Sequence, residues 1–277
     1  MDIANAIILA VVQGLTEFLP VSSSGHLVIF RELLNAQEAL LTFDIVVHLG
    51  TLVAVFLVFW NDVRALVSAA VGIIVDILHG DGIKAAVTKD DYRKVVCLII
   101  AASFPTAIMG VAFQPFVVSL FSSRLAVGIS LVATGTALWL GEFFSESRFR
   151  FFDLTWLKAL CIGVAQGFAI IPGFSRSGAT ISAGLLLGLH REDAARFSFL
   201  LSIPVILGAG VLELKNLVTS QLTMSSSAPF VLGFITSIVS GYLAIRLVLT
   251  VIRQRKLTMF AVYTWVLGII VIIWSLI

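Results

Sequence analysis

Glu17 and Arg176 each sit in a short segment that is otherwise apolar. An ionisable side chain in apolar surroundings costs on the order of several kcal/mol unless it is paired or hydrated. Either the two form a structural ion pair tying their segments together, or they belong to a site. Gln13 lies four residues before Glu17, on the same face of a helix. That face is suited to hold a metal ion, to supply a base, or to hydrogen-bond a neighbouring loop. Ser22, Ser23 and Ser24 precede a helix that begins near Gly25, and Ser175 and Ser177 flank Arg176 just after Pro172. One serine per loop is explained by helix capping. Three in one loop, and two around an arginine in the other, exceed that need. Two helix N-termini with hydroxyls and a guanidinium make a strong anion site, and phosphate oxygens suit it. His26 follows Ser23 by one helical turn. A serine within reach of a histidine or a glutamate is the arrangement that activates a hydroxyl nucleophile, although a lone histidine is as often structural. Asp44 and His48, four apart, either bind an ion or support the neighbouring hairpin, and support is the reading favoured. His79 and His190 fall at loop ends and suggest no specific role.

These residues need elements to hold them at depth. Of 277 residues 59% are hydrophobic and 12% charged, about half the roughly 25% of soluble domains. With a mean hydropathy of +1.08, lipid must solvate much of the surface. The net charge of +2 carries no signal for nucleic acid. Cys97 and Cys161 lie in apolar runs and are expected to be buried thiols without a disulfide or metal role. The start of the chain lacks a basic region and a small-residue cleavage site, so no cleavable leader is expected.

Six stretches reach the roughly 20 residues a bilayer demands: 42–60, 95–113, 125–141, 195–213, 229–249 and 257–277. Four are too short, 4–18, 24–35, 159–171 and 178–190. They form two pairs, each interrupted by a polar break with Pro, Gly and Ser, the pattern of a re-entrant hairpin. The stretch 65–78 reads as a surface-lying helix, because Asp76 and the charged run from Asp81 to Lys94 follow. With each hairpin returning to its own side, fourteen Lys and Arg fall on one side, and Arg31, Arg124 and Lys215 on the other. The first side is therefore expected to be cytoplasmic, with both termini outside. The segment Val11–Gly25 also resembles Val164–Gly178 in its Gln-Gly, Pro and Ser-x-Ser-Gly spacing. Three spans separate the copies, so the second is inverted. The expectation is an all-α polytopic fold with six transmembrane helices and two re-entrant hairpins, built from repeat units 1–141 and 142–277 whose breaks meet near a pseudo-two-fold axis.

The two loops carry a resemblance. Gln13-Gly-Leu-Thr-Glu17-Phe-Leu-Pro-Val-Ser22-Ser23-Ser24-Gly-His26 and Pro172-Gly-Phe-Ser175-Arg176-Ser177-Gly-Ala-Thr180 resemble the two signature motifs of the bacterial undecaprenyl-diphosphate phosphatase family, bacitracin-resistance type. The likeness extends along nearly the whole chain, including Phe43-Asp-Ile-Val-Val-His-Leu-Gly50. It implies hydrolysis of undecaprenyl diphosphate to undecaprenyl phosphate and inorganic phosphate, recycling the lipid carrier for peptidoglycan in the bacterial inner membrane. It also implies a site facing the periplasmic side, a divalent cation (Mg2+ or Ca2+), and bacitracin resistance. By position, Glu17, Ser23, His26 and Arg176 match the family's catalytic residues. Ser22, Ser24, Gly25, Gly173, Ser175, Ser177 and Thr180 are expected at the phosphate, and Glu17 with Gln13 at the metal. Gln13 fills a position where the family has Glu or Gln, and Gln removes one carboxylate from any direct metal cage.

The expected partners are the polyprenyl diphosphate, the bilayer and, as an option, a second copy of the chain in a homodimer. Ser23 is expected to attack phosphorus, assisted by His26 or Glu17. Direct attack by water, or by His26, stays open on the sequence. The rival reading is a transporter or flippase of a phosphorylated polyprenyl lipid, since inverted repeats with broken helices are also transporter architecture.

Overall fold

The computed structural model describes residues 2–36, 41–80, 82–219 and 227–277, without the side chains of residues 41 and 212–219. Asp81 and the side chain of Lys215 thus lie outside the described residues. Among the described residues the chain is all-α, with no strand. Two short pairs come first in importance: α1 (Ile3–Phe18) with α2 (Ser23–Leu33), and, much later, α9 (Trp156–Phe168) with α10 (Arg176–Leu186). Between them lie α3 (Leu41–Val58), α4 (Trp60–Leu78), α5 (Ile83–Thr88), α6 (Asp91–Ala112), α7 (Gln114–Leu120) and α8 (Arg124–Phe143). After them come α11 (Arg191–Thr219), α12 (Ala228–Arg253) and α13 (Thr258–Ser275).

Five helices among the described residues are long and apolar enough to cross a membrane: α6, α8, α11, α12 and α13. The sixth expected span is α3, whose 18 residues rise about 27 Å. At Phe59 the chain bends by 94° into α4. The stretch 65–78, expected as a surface-lying helix, forms part of α4, a separate helix set at a steep angle to α3. It begins earlier than expected, at Trp60, because Asn61 and Asp62 favour the first turn of a helix as well as a break. Val67, Val71 and Ile74 lie exposed on it, while Asp76 is held by Lys89 (2.6 Å) and by Arg93.

The short helices are too short to cross. Sixteen residues in α1 rise about 24 Å, against a hydrocarbon core of about 30 Å. Pro20 ends α1 and Pro172 follows α9, since proline lacks an N–H and disfavours helix in the residue before it. α2 packs back on α1 and α10 on α9, so each pair is a hairpin. α10 ends two residues before Gly188, whose φ of 97° only glycine adopts readily, and thus stops short of the expected residue 190.

Long helices hold the hairpins in place. α1 lies along α12, with Gly14 seated against Ser240, and α9 lies along α6, with Gly163 seated against Ala102. α8 and α13 cross closely where Gly128 meets Gly268. Small residues let helix backbones approach where no water drives association. The largest core cluster includes Phe18, Phe59, Leu98, Phe151, Phe197 and Phe199. One expectation fails here: Cys161 is exposed and Cys97 only half-buried. In a membrane fold an apolar helix face is covered by lipid, so an apolar run does not imply burial within protein.

Candidate active site

Each hairpin presents its break to the other. Gly173 has φ 90°, and a Cβ there would collide with the Val127 carbonyl. Gly25 comes so close that a Cβ would lie 3.1 Å from Gly173 Cα. Glycine at both positions is therefore what lets the loops touch. The Gly173 N–H donates to Ser24 Oγ (3.3 Å), and Ser177 Oγ donates to the Leu19 carbonyl (3.4 Å). Thr134 on α8 holds the second loop from behind, donating to the Gly173 carbonyl (3.2 Å) and accepting from the Ser175 N–H (2.9 Å). Ser22 and Ser175 cap α2 and α10, each accepting from the N–H three residues on, at 3.2 and 3.1 Å. Ser22 does so at φ 73°, a conformation that costs a non-glycine residue about 1–3 kcal/mol and that clusters at functional sites.

At the junction Glu17 and Arg176 meet. Arg176 Nη2 donates to Glu17 Oε1 at 2.8 Å, and its Nη1 donates to the Ser198 carbonyl at 3.3 Å. Glu17 Oε2 accepts from Ser23 Oγ at 2.7 Å and from Gln13 Nε2 at 2.9 Å. Glu17 is 7% and Arg176 13% exposed, so the pair is both structural and part of the site. They open on a cavity of about 310 Å³. Its polar wall is Glu17, Ser22, Ser23, Ser24, Ser175 and Arg176, with Asp44 and His48 from α3. The rest of the lining is largely apolar and includes Ile45 and Leu49 of α3 and Val205, Ile206 and Ala209 of α11. Such a cavity combines charged and hydroxyl groups with apolar ones.

Several expected residues sit away from the cavity. Gly25, Gly173 and Ser177 make the loop-to-loop contacts. Thr180 is buried, donates to the Arg176 carbonyl (2.8 Å) and pairs with Ser198 Oγ (2.6 Å), which steadies the start of α10. His26 is buried with both ring nitrogens engaged. Its Nδ1 donates to the Ser22 carbonyl and its Nε2 accepts from the Tyr263 hydroxyl, each at 2.7 Å. Glu17, not His26, is the group bonded to Ser23. Conversely His48, read as hairpin support, reaches the site, with Nε2 3.7 Å from Glu17 Oε2. Thr134, Ser198 and Tyr263 were not singled out. Each is one of several hydroxyls in its apolar span, so no sequence signal sets it apart.

The donors do not fit a cation held by Gln13 and Glu17. Glu17 already accepts three hydrogen bonds, from Gln13, Ser23 and Arg176. Gln13 offers one oxygen, Oε1, buried and without a partner. Asp44 is taken by Arg31. Among the described residues no three His, Cys, Asp or Glu side chains form a cluster that would hold a metal.

Known proteins share this chain throughout. An undecaprenyl-diphosphatase of Halothermothrix orenii is 43% identical, covering 99% of this chain and 98% of its own. One of Carboxydothermus hydrogenoformans is 42% identical, covering 99% and 97%. One of Alkaliphilus metalliredigens is 43% identical over the full length of both chains. The profile of the bacitracin resistance protein BacA family matches residues 6–270, almost the whole fold and both hairpins. By that match and these relatives, a polytopic membrane chain with two hairpins joined through Glu17 and Arg176 belongs to the bacitracin resistance protein BacA family.

Proposed function

We propose that this chain hydrolyses undecaprenyl diphosphate to undecaprenyl phosphate and inorganic phosphate, and so contributes to lipid-carrier recycling and bacitracin resistance. The observation that carries this reading is Ser23 Oγ donating at 2.7 Å to a buried carboxylate that is itself paired with Arg176. A hydroxyl already bonded to a base is a nucleophile in waiting. A transporter requires binding groups but no such alignment.

The terminal phosphoryl group lies against Arg176, Ser175 and the N-termini of α2 and α10, which oppose the charge building on its oxygens. The Ser23 oxygen attacks phosphorus while its proton passes to Glu17, and the bond to undecaprenyl phosphate breaks. That product leaves as a stable anion and needs little acid assistance. Water then displaces Ser23 and carries off phosphate. His26 shapes the loop, since its bond to the Ser22 carbonyl fixes the residue before the nucleophile. The isoprenoid runs along the apolar wall of α3 and α11 into lipid. Glu17 already accepts three hydrogen bonds, so no role is assigned to a divalent cation held by Glu17 and Gln13. The repeat units 1–141 and 142–277 are supported by matched packing, α1 on α12 against α9 on α6. One chain supplies every residue named, so the site is complete without a second copy.

Phosphate release from undecaprenyl diphosphate by purified protein in detergent, with and without chelator, tests the reaction. Turnover by wild type and none by Ser23→Ala is expected, and full turnover by Ser23→Ala would remove Ser23 as nucleophile. The cavity is expected to face outward, opposite the cationic side. Labelling of a cysteine placed at position 84 by an impermeant reagent added outside intact cells would reverse this orientation.

A further inference from the structure

Two-step hydrolysis asks Glu17 to act as a base twice, first for Ser23 and then for water. Between the two steps it must lose the proton it has taken. The groups around it narrow where that proton goes. Arg176 and Gln13 are donors to Glu17 and offer it no lone pair. His26 has both nitrogens occupied, by the Ser22 carbonyl and the Tyr263 hydroxyl.

His48 is different. Its Nδ1 lies 2.7 Å from the Asp44 carbonyl, one turn back on α3. A carbonyl only accepts, so Nδ1 bears the hydrogen and Nε2 presents its lone pair. That lone pair lies 3.7 Å from Glu17 Oε2, the same oxygen that bonds Ser23. Two acceptors at that distance have no reason to close further until one of them is protonated. Once Glu17 holds the Ser23 proton, a short hydrogen bond to Nε2 becomes available. His48 is 35% exposed to the cavity and can pass a proton onward to solvent. The charged groups that bear on it are Glu17 from α1, Arg176 from α10, and Asp44 on its own helix, which is paired with Arg31 of α2. The cavity-lining residues of α11 are apolar.

We propose that His48 is a proton-relay residue of this site, taking the proton from Glu17 after Ser23 has attacked and so resetting Glu17 for the hydrolytic water. This rests on the two-step reaction proposed above. Ser23 O–H gives its proton to Glu17 as the Oγ–P bond forms and the bond to the lipid phosphate breaks. That proton moves to His48 Nε2, leaving a carboxylate and an imidazolium. Water then gives a proton to Glu17 as its oxygen joins phosphorus and the Oγ–P bond breaks. Glu17 returns this proton to Ser23, and His48 releases the first to solvent. The sum is one water consumed and one proton released with the phosphate.

The test is a pair of variants. His48→Gln removes the relay. His48→Asn also removes it but keeps an N–H that can bond the Asp44 carbonyl, so a merely structural histidine is rescued by Asn. Purified proteins in detergent are mixed with undecaprenyl diphosphate carrying a labelled terminal phosphate, quenched in acid and assayed for phosphoserine. Expected for both variants is formation of labelled Ser23 at close to the wild-type rate, with phosphate release slowed about 10²-fold. Labelled protein then accumulates, and the deficit shrinks as pH rises and solvent base replaces the imidazole. Wild-type turnover by His48→Asn overturns the proposal, as does slowed turnover with no accumulation of phosphoserine. Wild-type protein that releases no phosphate at all would instead sink the reaction itself and the relay with it.

Discussion

The bond between Ser23 and Glu17 makes a quantitative demand on mutational data. Ser23→Ala removes the attacking oxygen, and Glu17→Gln removes the base while keeping the shape of the side chain. Glu17 Oε2 is the acceptor of the Ser23 hydroxyl, at 2.7 Å. If Glu17 serves the reaction through that hydroxyl, each single change costs about 10²–10⁴ in kcat. Taking 10³ for each gives about 4 kcal/mol per variant. Independent effects would sum to about 8 kcal/mol, or 10⁶ in rate. Residues acting as one unit do not add. The double variant should therefore stay within about tenfold of either single variant, a coupling of about 4 kcal/mol. The assay is phosphate release in detergent, with thermal unfolding midpoints to set aside folding defects. Such defects are expected to be real for Glu17→Gln, because removing one partner of a buried pair leaves Arg176 unmatched, at about 3–5 kcal/mol. Multiplying defects in the double variant, with all proteins folded, would refute the unit and place Glu17 and Ser23 in separate steps.

Arg176→Lys should lower kcat/KM by about 10²-fold or more, since an ammonium replaces the fork that spans Glu17, Ser198 and the phosphoryl oxygens; near wild-type kinetics would remove the arginine clamp. Gly173→Ala should lower the unfolding midpoint in detergent, by about 1–3 kcal/mol of backbone strain before any clash with Val127. An unchanged midpoint would mean that the loops do not meet there. Tyr263→Phe should cost about 0.5–1.5 kcal/mol through the lost bond to His26, with less than a tenfold fall in kcat; a loss as large as that of Ser23→Ala would put His26 in the chemistry directly.

Much of this arrangement was legible in the sequence, and the reason is energetic. A charge in a short apolar segment is rare because it is costly, so Glu17 and Arg176 stood out before their partners were known. The proline-broken pairs announced hairpins for the same reason, since backbone at membrane depth must be satisfied locally. What stayed hidden depends on contacts between distant segments. His26 and Tyr263 are 237 residues apart, and Thr134 lies 39 residues from Gly173. No local pattern links them, and a hydroxyl in a span is as consistent with a bond to its own helix. His26 looked catalytic by spacing, because one turn from a serine brings it near in sequence while its ring points elsewhere. His48 looked peripheral because the packing of α3 on α1, not spacing, brings it to Glu17. The exposure of Cys161 was not legible because an apolar run suits a lipid-facing surface as well as a protein core.

Charge accounting in the cavity explains why the site is divided between two hairpins. Each of its two carboxylates is matched by an arginine from another helix, Glu17 by Arg176 and Asp44 by Arg31. An incoming diphosphate thus meets a site whose side-chain charges cancel, with the positive ends of α2 and α10 as the residual attraction. In the reaction proposed above, the proton of the attacking Ser23 neutralises Glu17, and Arg176 loses the anion it was holding. The guanidinium becomes free for the phosphoryl oxygens at the moment when negative charge is rising on them. Attraction then grows between ground state and transition state, which is the difference that accelerates a reaction. An arginine on the same hairpin as the nucleophile could bind phosphate equally well. Placing it on the opposite hairpin lets one bond hold the fold closed at rest and, when that bond weakens, become the clamp.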